Sequence, residues 1–291
     1  MDRRDFLIAS AAVAGVAAAP RVHAQPPGAV GSFAGLPLKL AVQPQFFPGT
    51  LDEQLEAAAA WGFPAYAWHN PEGDLDAIQR KADSLGLALC CIRGCGRIEP
   101  GFMMDPAQHD AVVDEFRQRI GIAKQLGTRQ LIGLTGNARD DISYDEQMDL
   151  VVACLKRLAP IAEENDVEII MEALNPLVDH RGFFLTRTDQ TMQILDAVGS
   201  PSIKMLFDIY HQQITEGNVI RNIRENIDRI GLFHVADNPG RKEPGTGELN
   251  YTNIYKAIYD TGYKGYVELE HGKAGTVEDA LNANLACFKW A

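Results

Sequence analysis

Four polar side chains stand where apolar runs give out. Glu172 closes Val167-Glu168-Ile169-Ile170-Met171-Glu172 and Asp208 closes Met205-Leu206-Phe207-Asp208. His234 sits inside Leu232-Phe233-His234-Val235, and Glu270 ends Val267-Glu268-Leu269-Glu270. Each alone has an ordinary reading. A strand-end Asp or Glu caps the next helix, a buried His is a hydrogen-bonded core residue, and Glu172 finds an arginine such as Arg181. Together, three carboxylates converging on one place repel unless something positive lies between them, and a divalent cation meets that need. Three oxygen donors and one imidazole suit a hard ion, Mn²⁺ or Mg²⁺, better than a thiolate-seeking one. Glu268 shares a face with Glu270, because it lies two residues earlier on an extended run, and is expected one layer deeper. Glu270, nearer the end, is the expected ligand. His211, three residues after Asp208, is placed to hydrogen-bond a substrate oxygen or to orient a ligand. Arg241 follows Pro239-Gly240 and is placed either to clamp a substrate carboxylate or hydroxyl or to lie on the surface.

Such residues need elements that deliver them to one mouth. Short apolar runs at 38–42, 65–68, 88–92, 130–134, 168–172, 203–208, 231–235 and 265–270 alternate with helical patterns at 51–61, 75–85, 106–126, 144–165, 188–198, 218–227, 252–261 and 276–290. Thr50 with Glu53 and Ser143 with Glu146 have capping-box spacing. Gly62, Gly86, Gly127, Gly199 and Gly262 follow helical patterns, where a residue without Cβ accepts the left-handed helix stop. Eight strand–helix units with no Gly-x-Gly-x-x-Gly after the first strand predict an α/β fold, a single parallel (β/α)8 TIM barrel over residues 37–291. In that architecture Glu172, Asp208, His234 and Glu270 lie at the C-terminal ends of four neighbouring strands, where barrels carry their chemistry.

The chain has 291 residues, 46% hydrophobic and 23% charged, an ordinary globular composition. Its formal net charge is −12 with no basic run, which argues against a nucleic-acid partner. A basic start, Arg3-Arg4 before Phe6-Leu7, precedes an apolar stretch too short to span a bilayer and the small-residue end Val22-His23-Ala24. Residues 1–24 resemble a twin-arginine export signal, residues 25–36 read as a flexible tether, and the expected location is the periplasm, with no stable membrane insertion after cleavage. Five cysteines without a C-x-x-C pair read as buried, inert thiols, with Cys90 and Cys91 on opposite faces of a strand. The sequence leaves a homo-oligomer open.

From Glu168 to His271 the chain resembles the hydroxypyruvate isomerase family, within the xylose-isomerase-like sugar isomerase/epimerase barrels. The segments that carry the resemblance are Met171-Glu172-Ala173-Leu174-Asn175, Gly182-Phe183-Phe184-Leu185-Thr186, Phe207-Asp208-Ile209-Tyr210-His211 and Ala236-Asp237-Asn238-Pro239 through to Glu243-Pro244-Gly245-Thr246-Gly247-Glu248-Leu249-Asn250. The resemblance implies that Glu172 and Glu270 are the proton donor/acceptor pair, that Asp208 and His234 complete a divalent-metal shell, and that the partner is a small hydroxy-carbonyl substrate. Two positions depart from the family. The end of strand two reads Tyr66-Ala67-Trp68-His69 where a Glu is usual, and His234 stands where a Gln is common, as in ketose 3-epimerases. The leading expectation is a metal-dependent isomerase acting through an enediolate. A sugar 3-epimerase, a keto-sugar or keto-cyclitol dehydratase and a non-catalytic exported sugar-binding protein are the alternatives. A DNA-repair endonuclease on this fold needs more metal-binding histidines than the seven here and a basic face.

Overall fold

The computed structural model describes residues 32–99 and 101–291, so the expected signal and residues 25–31 of the expected tether lie outside the described residues. The part of that tether which is described is docked rather than free. Phe33 is buried, stacks on Phe63 at 4.0 Å between centroids, and its N–H donates to the Trp61 carbonyl at 2.9 Å.

The strands are β1 Lys39–Val42, β2 Ala65–Tyr66, β3 Ala88–Leu89, β4 Cys91–Cys95, β5 Gln130–Gly133, β6 Glu168–Glu172, β7 Ile203–Asp208, β8 Ile230–Val235 and β9 Tyr266–Leu269. All pairings among them are parallel, in the order β3-β2-β1-β9-β8-β7-β6-β5-β4. The two ends of that order, β3 and β4, are consecutive stretches of chain parted only by Cys90, so the sheet comes round on itself as a nearly closed barrel. Among the described residues the expected eight strands thus become nine, because the third run is split. Its first half pairs with β2 and its second with β5, while Cys90 N–H donates to Tyr66 and Arg93 N–H to His69. The split also corrects the expected geometry of the adjacent cysteines. Cys90 and Cys91 are not turned to opposite faces; their sulfurs lie 3.7 Å apart, and both approach Glu268.

Around the sheet run α1 Leu51–Ala60, α2 Leu75–Leu85, α3 His109–Gln125, α4 Tyr144–Glu164, α5 Thr188–Val198, α6 Ile209–Thr215, α7 Val219–Asn226, α8 Tyr251–Asp260 and α9 Val277–Ala286. Local chemistry starts and stops them. Thr50 and Glu53 form the full reciprocal capping box, whereas Ser143 provides only its own half, accepting from Glu146 N–H. Gly86 ends α2 at φ 71°, in the left-handed region. The strands are buried on both faces, by one another's side chains inside and by helices outside, which explains their near-continuous apolar composition. Polar residues inside such a wall must have partners, and they gather at one end.

Candidate active site

Strand register sets the heights of the ligand candidates. Asp208 pairs with His234, and His234 pairs with Glu268, so these three are level across β7, β8 and β9. Glu270 lies one residue past β9, above Glu268 on the same face. Glu172 ends β6. Donor atoms of Glu172, Asp208, His234 and Glu270 all lie within 4.8 Å of one another. His234 is the hub: its Nδ1 is 3.0 Å from Glu270, 3.4 Å from Glu172 and 3.9 Å from Asp208. The structure therefore brings together the four residues that the sequence singled out.

The donor set fits a cation on geometry as well as on chemistry. His234 is wholly buried, and neither ring nitrogen has an aligned hydrogen bond, although carboxylate oxygens surround the ring. Once deprotonated, Nδ1 would direct a lone pair among three carboxylates, as an imidazole ligand does. Burial opposes charge on His234, yet Glu268 and Glu270 outweigh it and hold the imidazolium well above the usual histidine range. Burial likewise favours a protonated Glu270, and the His234 and Arg241 charges override it, pushing the carboxyl far below its ordinary value. The pocket is built for positive charge.

Asp208 performs both tasks that its position allowed. Oδ1 accepts from His211 N–H at 3.0 Å and caps α6, a seven-residue helix the sequence periodicity did not reveal. Oδ2 faces the cluster, 3.6 Å from Arg241 Nη2 and 3.6 Å from His211 Nε2.

The arginine beside the carboxylates is Arg241, not Arg181, which is exposed. Arg241 Nη2 donates to Glu270 at 2.8 Å, and its guanidinium lies 5.2 Å from the Tyr210 ring centroid. Burial works against its charge, and Glu270 and Asp208 more than compensate, raising its pKa. The loop that carries Arg241 is organised by Asp237. That fully buried carboxylate accepts from the N–H groups of Asn238, Gly245, Gly247 and Leu249 at 2.8–3.0 Å. Gly247 has to be glycine, since a Cβ there would lie 2.2 Å from the Asn238 carbonyl oxygen.

His211 is wholly buried and its tautomer is set by Asn175. The Asn175 side-chain oxygen accepts from Val178 and Asp179 N–H, which turns its amide nitrogen toward His211 Nδ1 at 2.6 Å. Nδ1 therefore accepts, and Nε2–H points toward Asp208 without a hydrogen-bond partner. Asn175 carried a signal in the sequence only as part of a motif.

Below this cluster lies a second group that sequence reasoning did not assemble. His69, Cys91, His234 and Glu268 offer donor atoms within 4.8 Å of one another. Glu268, expected one layer deeper, is there and fully buried. His69, at the end of the second strand, was read only as a departure from the family.

A parallel barrel with acidic and imidazole donors at the C-terminal ends of its strands defines a class. Residues 55–289 match the xylose isomerase-like TIM barrel family, and the chain belongs to it. It is 33% identical over 183 residues to the hydroxypyruvate isomerase of Escherichia coli K12, spanning 63% of this chain and 70% of that protein. It is 37% identical over 234 residues to the 2-oxo-tetronate isomerase of Cupriavidus necator, spanning 77% of this chain and 88% of that protein. Among solved structures, the AP endonuclease, family 2, from Brucella melitensis shares the fold, with TM-score 0.77 and 20% identity over 84% of this chain and 96% of that one.

Proposed function

We propose that the protein is an isomerase of small α-hydroxy carbonyl compounds, of the hydroxypyruvate isomerase kind, with Glu172 and Glu270 as its proton-carrying pair. The observation that carries this reading is their convergence on His234 Nδ1 from two different strands, at 3.4 and 3.0 Å. Two such relatives support it. Glu172, Asp208, His234 and Glu270 would hold a divalent cation, Mn²⁺ or Mg²⁺ by the hardness of the donors. When bound, it supplies charge that polarises a carbonyl and stabilises an enediolate.

The chain's own residues do the rest. One glutamate removes the proton from the carbon beside the carbonyl, and the other returns a proton to the former carbonyl carbon. His211 donates from Nε2–H to a substrate oxygen, and Arg241 clamps a terminal carboxylate or hydroxyl. A second reading, ketose 3-epimerisation, is favoured by His234 standing where a Gln is common in the family; there the proton returns to the opposite face of the same carbon.

The test is exchange of the substrate α-proton with deuterated water, followed on hydroxypyruvate, ketoses and 3-keto-sugars with metal-saturated protein. Glu172→Gln and Glu270→Gln should each lower turnover by about 10²–10⁴-fold at saturating metal, and the variant that lacks the abstracting glutamate should lower exchange as much, because an amide cannot carry the proton. Wild-type rates in both variants at saturating metal would refute the pair. A binding protein would show no exchange even as wild type. We also propose that residues 1–24 direct export by the twin-arginine route.

A further inference from the structure

Below Glu270, four donor side chains of mixed chemistry meet from separate parts of the sheet. Glu268 lies in β9, level with His234 of β8 and Ala41 of β1. Cys91 opens β4, and His69 lies three residues past β2. Each offers one donor atom, and the four atoms lie within 4.8 Å of one another. Glu268 Oε1 accepts from the Gln43 amide at 2.8 Å and is 2.9 Å from His69 Nε2. Its Oε2 is 3.1 Å from His234 Nε2 and 3.2 Å from the Cys91 sulfur. Cys91, His234 and Glu268 are fully buried, and His69 is the member nearest solvent, its side chain 22% exposed. His234 Nε2 has no aligned hydrogen bond, although it points at this group and away from the upper carboxylates that surround Nδ1.

We propose that His69, Cys91, His234 and Glu268 form a second cation site, a closed four-ligand site for Zn²⁺ or a similar borderline ion that clasps the barrel where its sheet is broken. Two imidazoles, a thiolate and a carboxylate are a donor set that Zn²⁺ takes, and four protein ligands with no open position are the mark of a structural site. A tetrahedral ion with bonds of about 2.0–2.3 Å holds its donors about 3.3–3.7 Å apart, and the contacts to Glu268 are already near that spacing. The thiolate sets this site apart from the harder one above it, whose donors other than His234 are all oxygens. Charge supports two ions. Glu172, Asp208, Glu268 and Glu270 outnumber the nearby Arg241 guanidinium by three negative charges, and one divalent cation leaves one in excess. A second divalent cation, bound with Cys91 as thiolate, cancels the remainder. With both ions bound, His234 carries one at each ring nitrogen as a bridging imidazolate. Position supports a clasp. β3 and β4 part at Cys90, where Cys90 N–H donates to the Tyr66 carbonyl at 2.8 Å and Arg93 N–H to the His69 carbonyl at 2.7 Å. An ion held by His69 and Cys91 joins the two sides of that break and anchors them to β8 and β9. No substrate enters the argument, so it stands apart from the isomerase reading.

The test uses the full chain, stripped with a chelator, reloaded with Zn²⁺ or Co²⁺ and freed of excess ion. Elemental analysis should find two ions per chain in the wild type and one in Cys91→Ser. The Co²⁺ form should show a near-ultraviolet thiolate-to-metal band that Cys91→Ser abolishes. Asp208→Asn should keep that band while lowering the ion count, because Asp208 faces only the upper ion. Absence of the band in the wild type, or a count of one ion per chain, overturns the proposal. So does a band that survives Cys91→Ser, which would assign the ion to another cysteine. If Cys91→Ser fails to fold, X-ray absorption of the Zn²⁺-loaded wild type decides. A sulfur neighbour at about 2.3 Å is expected, and nitrogen and oxygen neighbours alone overturn the site. Failure of α-proton exchange on every hydroxy-carbonyl tried would refute the isomerase reading and leave the thiolate band unchanged, so the two fail separately.

Discussion

His211 shows how one amide can decide the chemistry of a neighbouring ring. Asn175 is held by two backbone donors and offers N–H, not oxygen, to His211 Nδ1. Asn175→Asp would reverse that offer and draw the proton to Nδ1, leaving a lone pair at Nε2 facing Asp208. The expected result is a fall in kcat/KM of at least about tenfold, roughly 1.4 kcal/mol, with the fold intact. Nitrogen NMR of His211 reads the tautomer directly; a switched tautomer with unchanged kcat/KM would remove His211 from the substrate-binding set. The identities of Glu172, Asp208, His234 and Glu270 were legible because each interrupts or ends an apolar run. Glu268 was legible too, as the residue one layer below Glu270, but its pairing with His69 was not, because it joins positions 199 residues apart in sequence.

At the scale of elements, boundaries followed local chemistry wherever that chemistry was written in side chains. Thr50→Ala removes the hydroxyl half of the α1 capping box, leaving the Thr50 backbone N–H to donate to Glu53, and should cost about 1 kcal/mol in denaturant unfolding. Two glycines separate conformational strain from steric strain. Gly86 has φ 71° with nothing within 4 Å of a built Cβ, so Gly86→Ala should cost about 1 kcal/mol. Gly96 has φ 74° and a Cβ there would lie 1.8 Å from the Leu134 carbonyl oxygen, so its backbone neighbour must move. Gly96→Ala should cost about 3 kcal/mol or more. Equal midpoint shifts for the two variants would show that the β4–β5 junction yields easily. The break at Cys90 escaped the sequence because no punctuating residue marks it, and α6, although capped by Asp208, has too few turns to show a period.

At the scale of the whole molecule, a cation held by Glu172, Asp208, His234 and Glu270, from β6, β7, β8 and just past β9, would tie distant parts of the chain together. Saturating Mn²⁺ at about 100 times its Kd should stabilise the protein by about 2.7 kcal/mol over the chelator-treated form, visible as a rise in thermal midpoint. Asp208→Asn should diminish that rise; an undiminished rise would place the ion elsewhere. The export proposal is tested by changing Arg3-Arg4 to Lys-Lys. Cytoplasmic retention with residues 1–24 uncleaved is the expected outcome, and continued export would refute the twin-arginine route. Among the described residues no helix is long and apolar enough to cross a membrane.

The sequence by itself determined the barrel, because eight alternating periods and their helix stops are local properties that each stretch carries alone. It also determined which four side chains gather, because residues at strand ends in a parallel barrel share one rim. Tertiary structure decided the heights within that rim. Register, set by pairing between strands, placed His234 level with Glu268 rather than Glu270, so one imidazole faces carboxylates on both sides. It also decided which arginine approaches. Arg241 is 29 residues from Glu270 in the chain, and only the Asp237-bound loop brings its guanidinium to that carboxylate. Composition and period record what each segment is; distances between segments exist only once the barrel has closed.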